Sequence, residues 1–104
     1  MAKAIIMSGI CGFKTEVTAE KGDGFTILLD TVSDCPAFKN LNASLSEVDG
    51  MACIMDKVGE GAIYEACRLN CKHSACPVPM GIVKVVEVAA GLALPKDVTV
   101  TLTK

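Results

Sequence analysis

Six cysteines stand at positions 11, 35, 53, 67, 71 and 76 of a 104-residue chain. Two of them precede proline, in Cys35-Pro36 and Cys76-Pro77, and each pair reads as the start of a helix. A helix N-terminus carries about half a positive charge and unpaired N–H groups. A thiolate placed there is stabilised, and its pKa falls from ~8.5 toward ~3.5–7.5. The expectation is a nucleophilic thiolate at Cys76, where Pro77 and Pro79 fix the helix start. His73, the only histidine, precedes Cys76 by three residues, within reach to act as a base or to lower the thiol pKa. Cys11 lies in Ser8-Gly9-Ile10-Cys11-Gly12, a turn whose glycines let backbone N–H groups point at a sulfur or an anion. The catalytic candidates are therefore Cys76 and His73, with Cys11 or Cys35 to resolve or receive sulfur.

The other cysteines read differently. Cys53, in Met51-Ala52-Cys53-Ile54-Met55, is expected to be plain core, because a free cysteine behaves as a small hydrophobe. Cys67 is read the same way, on a helix face with Ile63, and Cys71 has no clear role. No Cys-x-x-Cys occurs; the run is Cys67-x3-Cys71-x4-Cys76, so zinc-knuckle and thioredoxin patterns are missing. One histidine excludes His-Glu-x-x-His, and no Walker loop, Gly-x-Gly-x-x-Gly or Gly-x-Ser-x-Gly appears. A metal would have to gather ligands from distant parts of the chain. Cys11, Cys35 and Cys76 with His73 would form a tetrahedral zinc set, and three cysteines with an open position could hold an iron–sulfur cluster. The thiol reading itself calls for no cofactor.

The elements that must position these residues follow from hydrophobic periodicity. Ala2–Ser8 is an apolar run. Phe13, Thr15, Val17 and Ala19 alternate with charged and polar neighbours, the period of a half-buried strand. A turn at Lys21-Gly22-Asp23-Gly24 leads to a third strand, Phe25–Asp30, and short loops make the three an antiparallel meander. Asp34 caps a short helix through about Leu41. Ser44-x-x-Glu47 is a capping-box pattern opening a helix with Leu45, Val48, Ala52 and Met55 inward. Another helix spans Ala62–Leu69. Ser74 caps the last helix, in which Val78, Ile82, Val85, Val86, Ala89 and Leu92 face the core. Val98, Val100 and Leu102 alternate with threonines as a final strand.

This order, βββ-ααα-β, predicts one α+β domain over residues 1–104: a two-layer sandwich with helices on one face of a mostly antiparallel four-stranded sheet. An up-down-up meander brings Cys11 and Cys35 to one end of the sheet. Cys76 joins them if the last strand rises parallel to the first or third.

Composition narrows the class. Hydrophobic residues make up 51% and mean hydropathy is +0.45, which rules out a disordered chain. The longest uncharged stretches fall short of the ~18 apolar residues of a membrane span. Net charge is −2 with a single arginine, Arg68, and only four aromatic residues. A nucleic-acid partner would need a basic stripe or stacking platforms, and neither is present. The N-terminal stretch has no signal-peptide cleavage pattern, and the core needs no staples, so reduced thiols in the cytoplasm are expected.

Cys76-Pro77-Val78-Pro79, followed by an apolar helix and a strand, resembles the Cys-Pro-x-Pro motif of the TusA/SirA-like sulfur-carrier family over residues 76–102. That resemblance implies persulfide carriage on Cys76 between protein partners. The family's motif follows a first strand near the N-terminus, whereas here it follows helices. The whole chain also resembles a family of uncharacterised small proteins from anaerobic prokaryotes. The expected function is a thiol protein relaying sulfur or electrons through Cys76, with protein donors and acceptors and neither nucleic acid nor membrane. The alternatives are the metal or iron–sulfur module and an interaction domain whose cysteines are incidental.

Overall fold

A computed structural model describes residues 1–104. The first three strands are β1 (Ala2–Met7), β2 (Lys14–Lys21) and β3 (Thr26–Ser33), paired antiparallel as a meander. Met7 stands opposite Lys14, and Thr15 opposite Ser33, so the β1–β2 turn and the chain leaving β3 lie at the same end of the sheet. The period of two is visible in burial. Thr15, Val17 and Ala19 of β2 and Ile27, Leu29 and Thr31 of β3 are buried, while Glu20, Leu28, Asp30 and Val32 face outward.

A single 3-10 turn, Pro36–Phe38, follows β3 and leads to α1 (Leu41–Ser44). Then come a short strand β4 (Glu47–Asp49), α2 (Gly50–Met55), α3 (Ala62–Asn70) and α4 (Val78–Ala89). All the helices lie on one side of the sheet, as the α+β sandwich requires. The longest, α4, lies across β1 and β2 and buries Val78, Ile82, Val85 and Val86. Burying one such side chain contributes roughly 1.5–3 kcal/mol. Two glycines permit the close approach. A Cβ on Gly81 would run into Ile6 of β1, and one on Gly50 would stand 3.1 Å from Ile27 and 3.2 Å from Ala90.

Three boundaries differ from the sequence reading. Ser44 ends a helix rather than capping one: its hydroxyl donates to the Leu41 carbonyl at 3.3 Å. Glu47–Asp49 instead pairs with Thr26–Leu28, and Asp49 caps α2 by accepting from the N–H groups of Met51 and Ala52. The free edge of β3 supplies ladder partners there, and Val48 becomes buried in the exchange. Second, the fourth strand is therefore β4, not Val98–Leu102. Residues 93–104 make no backbone hydrogen bond, and Val98, Val100 and Leu102 are 52%, 77% and 88% exposed. Third, the cap of α4 is Pro77, not Ser74, and the helix stops at Ala89. Gly91 takes φ +77°, its N–H donates to the Val88 carbonyl, and the Leu92 N–H donates to the Glu87 carbonyl. This pair of bonds closes the helix and turns Leu92 out of the core. No helix is long and apolar enough to cross a membrane.

Candidate functional site

The thiols gather where α3 ends and α4 begins. Cys35 takes the cap position of the 3-10 turn, in extended backbone, and its N–H donates to Ser33 Oγ at 3.1 Å. Ser33 Oγ lies 2.7 Å from the Thr15 hydroxyl, and the Asp34 N–H donates to the Lys14 carbonyl at 2.9 Å. Cys35 is thus tied to β2 and held half-buried against the core.

The amphipathic helix α3 turns Ile63, Ala66 and Cys67 inward, and Cys67 is only 2% exposed. Cys71 is the residue at which the chain leaves this helix. Its N–H donates to the Cys67 carbonyl at 2.7 Å, and its backbone is extended. The next turn is built around one carbonyl, that of His73. It accepts the Cys71 S–H at 3.9 Å and the Cys76 N–H at 3.2 Å. That shared acceptor folds the connection so that both cysteines face each other, each half-buried.

Cys71 and Cys35 stand close enough to the Cys76 thiol to act on its ionisation. Its pKa is raised to about 11, first by burial. The Val78 N–H, at the start of α4, pulls the other way. The neighbouring Cys71, and then Cys35, push it further up. The expected lowering at a helix start is therefore overturned: one backbone donor does not outweigh burial among other thiols. Behind this pair, Cys67 is pushed up to about 12 by burial, then by Cys76 and Cys71. At neutral pH Cys67 and Cys76 are thiols.

The structure brings Cys35, Cys67, Cys71 and Cys76 together and leaves two expected members out. Cys11 is exposed on the β1–β2 turn, at the same end of the sheet, and does not act on the Cys76 thiol. His73 is exposed; its carbonyl holds the turn, and its side chain is not among the groups that act on the Cys76 thiol. The expected metal set of Cys11, Cys35, Cys76 and His73 is accordingly not gathered, and no three Cys, His, Asp or Glu side chains are arranged to hold a metal ion. Cys71 and Cys67 are the members that sequence reading missed. Their i, i+4 spacing, one helical turn apart at the end of α3, was the available signal.

Cys53 is elsewhere. It is half-buried at the rim of a shallow cleft of about 130 Å³, lined also by Lys57, Tyr64, Val83 and Glu87, so it packs against the core rather than within it. Its thiol is raised to about 11 by burial, then by Asp56 and Asp49.

No curated protein and no solved structure matches the chain. A family model does, over residues 2–102, nearly its whole length. The chain belongs to that family, described as a family of unknown function, DUF6951.

Proposed function

We propose that the protein relays electrons between thiol partners through Cys76 and Cys71. The observation carrying this reading is the turn in which the one His73 carbonyl accepts from both the Cys71 thiol and the Cys76 N–H, so that Cys71 acts on the Cys76 thiol. Two thiols held on either side of one short turn are the pair placed to close a disulfide.

The chemistry is thiol–disulfide exchange. Cys76 loses its proton and attacks one sulfur of a partner's disulfide. A mixed disulfide forms, and the partner's other sulfur leaves as a thiolate that takes up a proton. Cys71, deprotonated in turn, attacks the Cys76 sulfur and releases the second partner thiolate, which is protonated likewise. The partner gains two electrons and two protons, and the chain loses the same. A partner dithiol reverses the steps. Because thiolates are disfavoured here, the reduced pair lacks the stabilisation that makes a strong oxidant. Its potential is therefore expected to lie below the roughly −120 mV of DsbA, on the reducing side.

A sulfur-carrying variant of the same site rests on one further observation, the Cys76-Pro77-Val78-Pro79 start of α4. In it Cys76 takes the outer sulfur of a partner's persulfide and expels the partner's thiolate. Anaerobic purification and native mass spectrometry separate the readings. Titration with oxidised glutathione should remove about 2 Da and close Cys71–Cys76, identified by peptide mapping, with Cys76→Ser abolishing the bridge. An added ~32 Da on Cys76 favours sulfur carriage. Bound iron or zinc, or a bridge that forms without Cys76, overturns the electron relay.

A further inference from the structure

The two edges of the sheet are treated unequally. Along β3 every stretch of the edge is covered. Thr26–Leu28 pairs with β4, the Leu29 N–H donates to the Ser46 carbonyl at 2.8 Å, and the Thr31 N–H donates to Asn42 Oδ1 at 2.8 Å. Asn42 Nδ2 returns a bond to the Thr31 carbonyl at 3.0 Å, so a side chain stands in for a strand. The outer edge of β1 has nothing comparable: Ala2–Met7 pairs with β2 alone. A bare edge of this length is a template for strand addition.

The same chain carries a strand with no sheet. Val98-Thr99-Val100-Thr101-Leu102-Thr103 has the alternation and β-branched content of a half-buried strand, yet residues 94–104 are exposed and unbonded. Six residues of this segment match the six of β1. The faces also match. Ala2, Ala4 and Ile6 of β1 face the helix layer, and small Ala2 and Ala4 remain only half-buried there. Val98, Val100 and Leu102 beside them would extend the apolar layer past Ala2 and Ala4, whose small side chains leave it thin at this edge. The threonines would then join Lys3, Ile5 and Met7 on the open face.

We propose that residues 98–103 of one copy add to the outer edge of β1 in a second copy, by reciprocal exchange. Within one chain the segment leaves its own β1 unpaired, and the edge beyond β3 is already occupied. A second copy offers the one kind of edge that fits. Exchange in both directions gives a closed twofold pair in which each β1 and each segment finds its partner. The hinge is Gly91–Pro95, where Gly91 turns the chain out of α4 and Pro95 interrupts any ladder.

The test is sedimentation with light scattering under reductant, up to about 100 µM protein, with amide exchange by mass spectrometry. The full chain should show twice its 10.8 kDa mass, with amides of 98–103 protected. A chain ending at Leu94 should show the single mass and keep its helical far-UV circular dichroism, because the removed residues make no hydrogen bonds within the fold of one chain. Val100→Pro, in an exposed segment, should weaken the pair on the order of 100-fold by removing a ladder bond. Single mass for the full chain would overturn the proposal, whether the 98–103 amides are protected, as in a fold-back onto its own β1, or free. So would a doubled mass that survives removal of the segment.

Discussion

Cys76 and Cys53 are both half-buried, and both thiols are raised to about 11 with burial as the first cause. They differ in what stands around them. Cys53 faces the carboxylates of Asp56 and Asp49, which repel a thiolate but cannot react with it. Cys76 faces the sulfurs of Cys71 and Cys35, which repel a thiolate and can also bond to it. Equal acidity thus hides unequal chemistry. A raised pKa marks a thiol as protected, and only the identity of the neighbours says whether it belongs to an exchange site.

The sharpest test of that contrast is the pH dependence of alkylation. Both thiols should react about 100-fold faster at pH 9 than at pH 7, because the thiolate fraction grows about tenfold per pH unit below the pKa. Cys71→Ala should bring the midpoint of Cys76 below about 11 and leave Cys53 unmoved, while Asp56→Asn should do the reverse. Midpoints that neither substitution moves would show that burial alone separates them from ordinary thiols. Peptide-resolved iodoacetamide labelling reads both sites in one sample.

Stability should follow the same groups. Each raised thiol is protonated in the fold at a pH where the unfolded chain, with values near 9.0, has begun to ionise. The unfolded state then binds fewer protons, so stability falls as pH rises. The contribution is complete below about pH 9 and is lost between there and about 11 for Cys53 and Cys76, and about 12 for Cys67. Urea midpoints between pH 8 and pH 11, for the parent chain and for Cys53→Ala, would show how much of the decline belongs to each region. A flat profile contradicts the assignment.

Substitution effects are smaller. Cys67→Ala opens a cavity beneath α3 and should cost roughly 1–2 kcal/mol by urea unfolding. Cys53→Ala, at the rim of its cleft, should cost under about 1 kcal/mol and leave Cys71–Cys76 bridging intact. The order of these two losses reverses if Cys53 is the deeper residue.

Much of this arrangement could be read before any coordinates. The alternation of Thr15, Val17 and Ala19 with Glu16 and Thr18 leaves one way to bury a strand, and the turn glycines that follow leave one way to continue it. Val78, Ile82, Val85 and Val86 repeat at helical spacing, so α4 and its inward face were also legible. The placement of Cys35 at the end of β3 follows from the meander alone. Local periodicity determines these features because each depends on residues a few positions apart.

The rest was decided by contacts between distant segments. Ser44-x-x-Glu47 satisfies a helix rule locally, but the free edge of β3 offers Glu47–Asp49 ladder bonds that no helix there could match. Val98–Leu102 has every local mark of a strand and still lacks a partner in its own chain, because pairing is a property of two segments. The acidity of Cys76 was misjudged for the same reason. Its helix start is written in Cys76-Pro77-Val78-Pro79, whereas Cys71 reaches it from the end of α3 and Cys35 from the end of β3. A sequence specifies which sulfurs exist and which local shapes hold them; burial and neighbouring charge, which set their chemistry, arise only when those shapes pack.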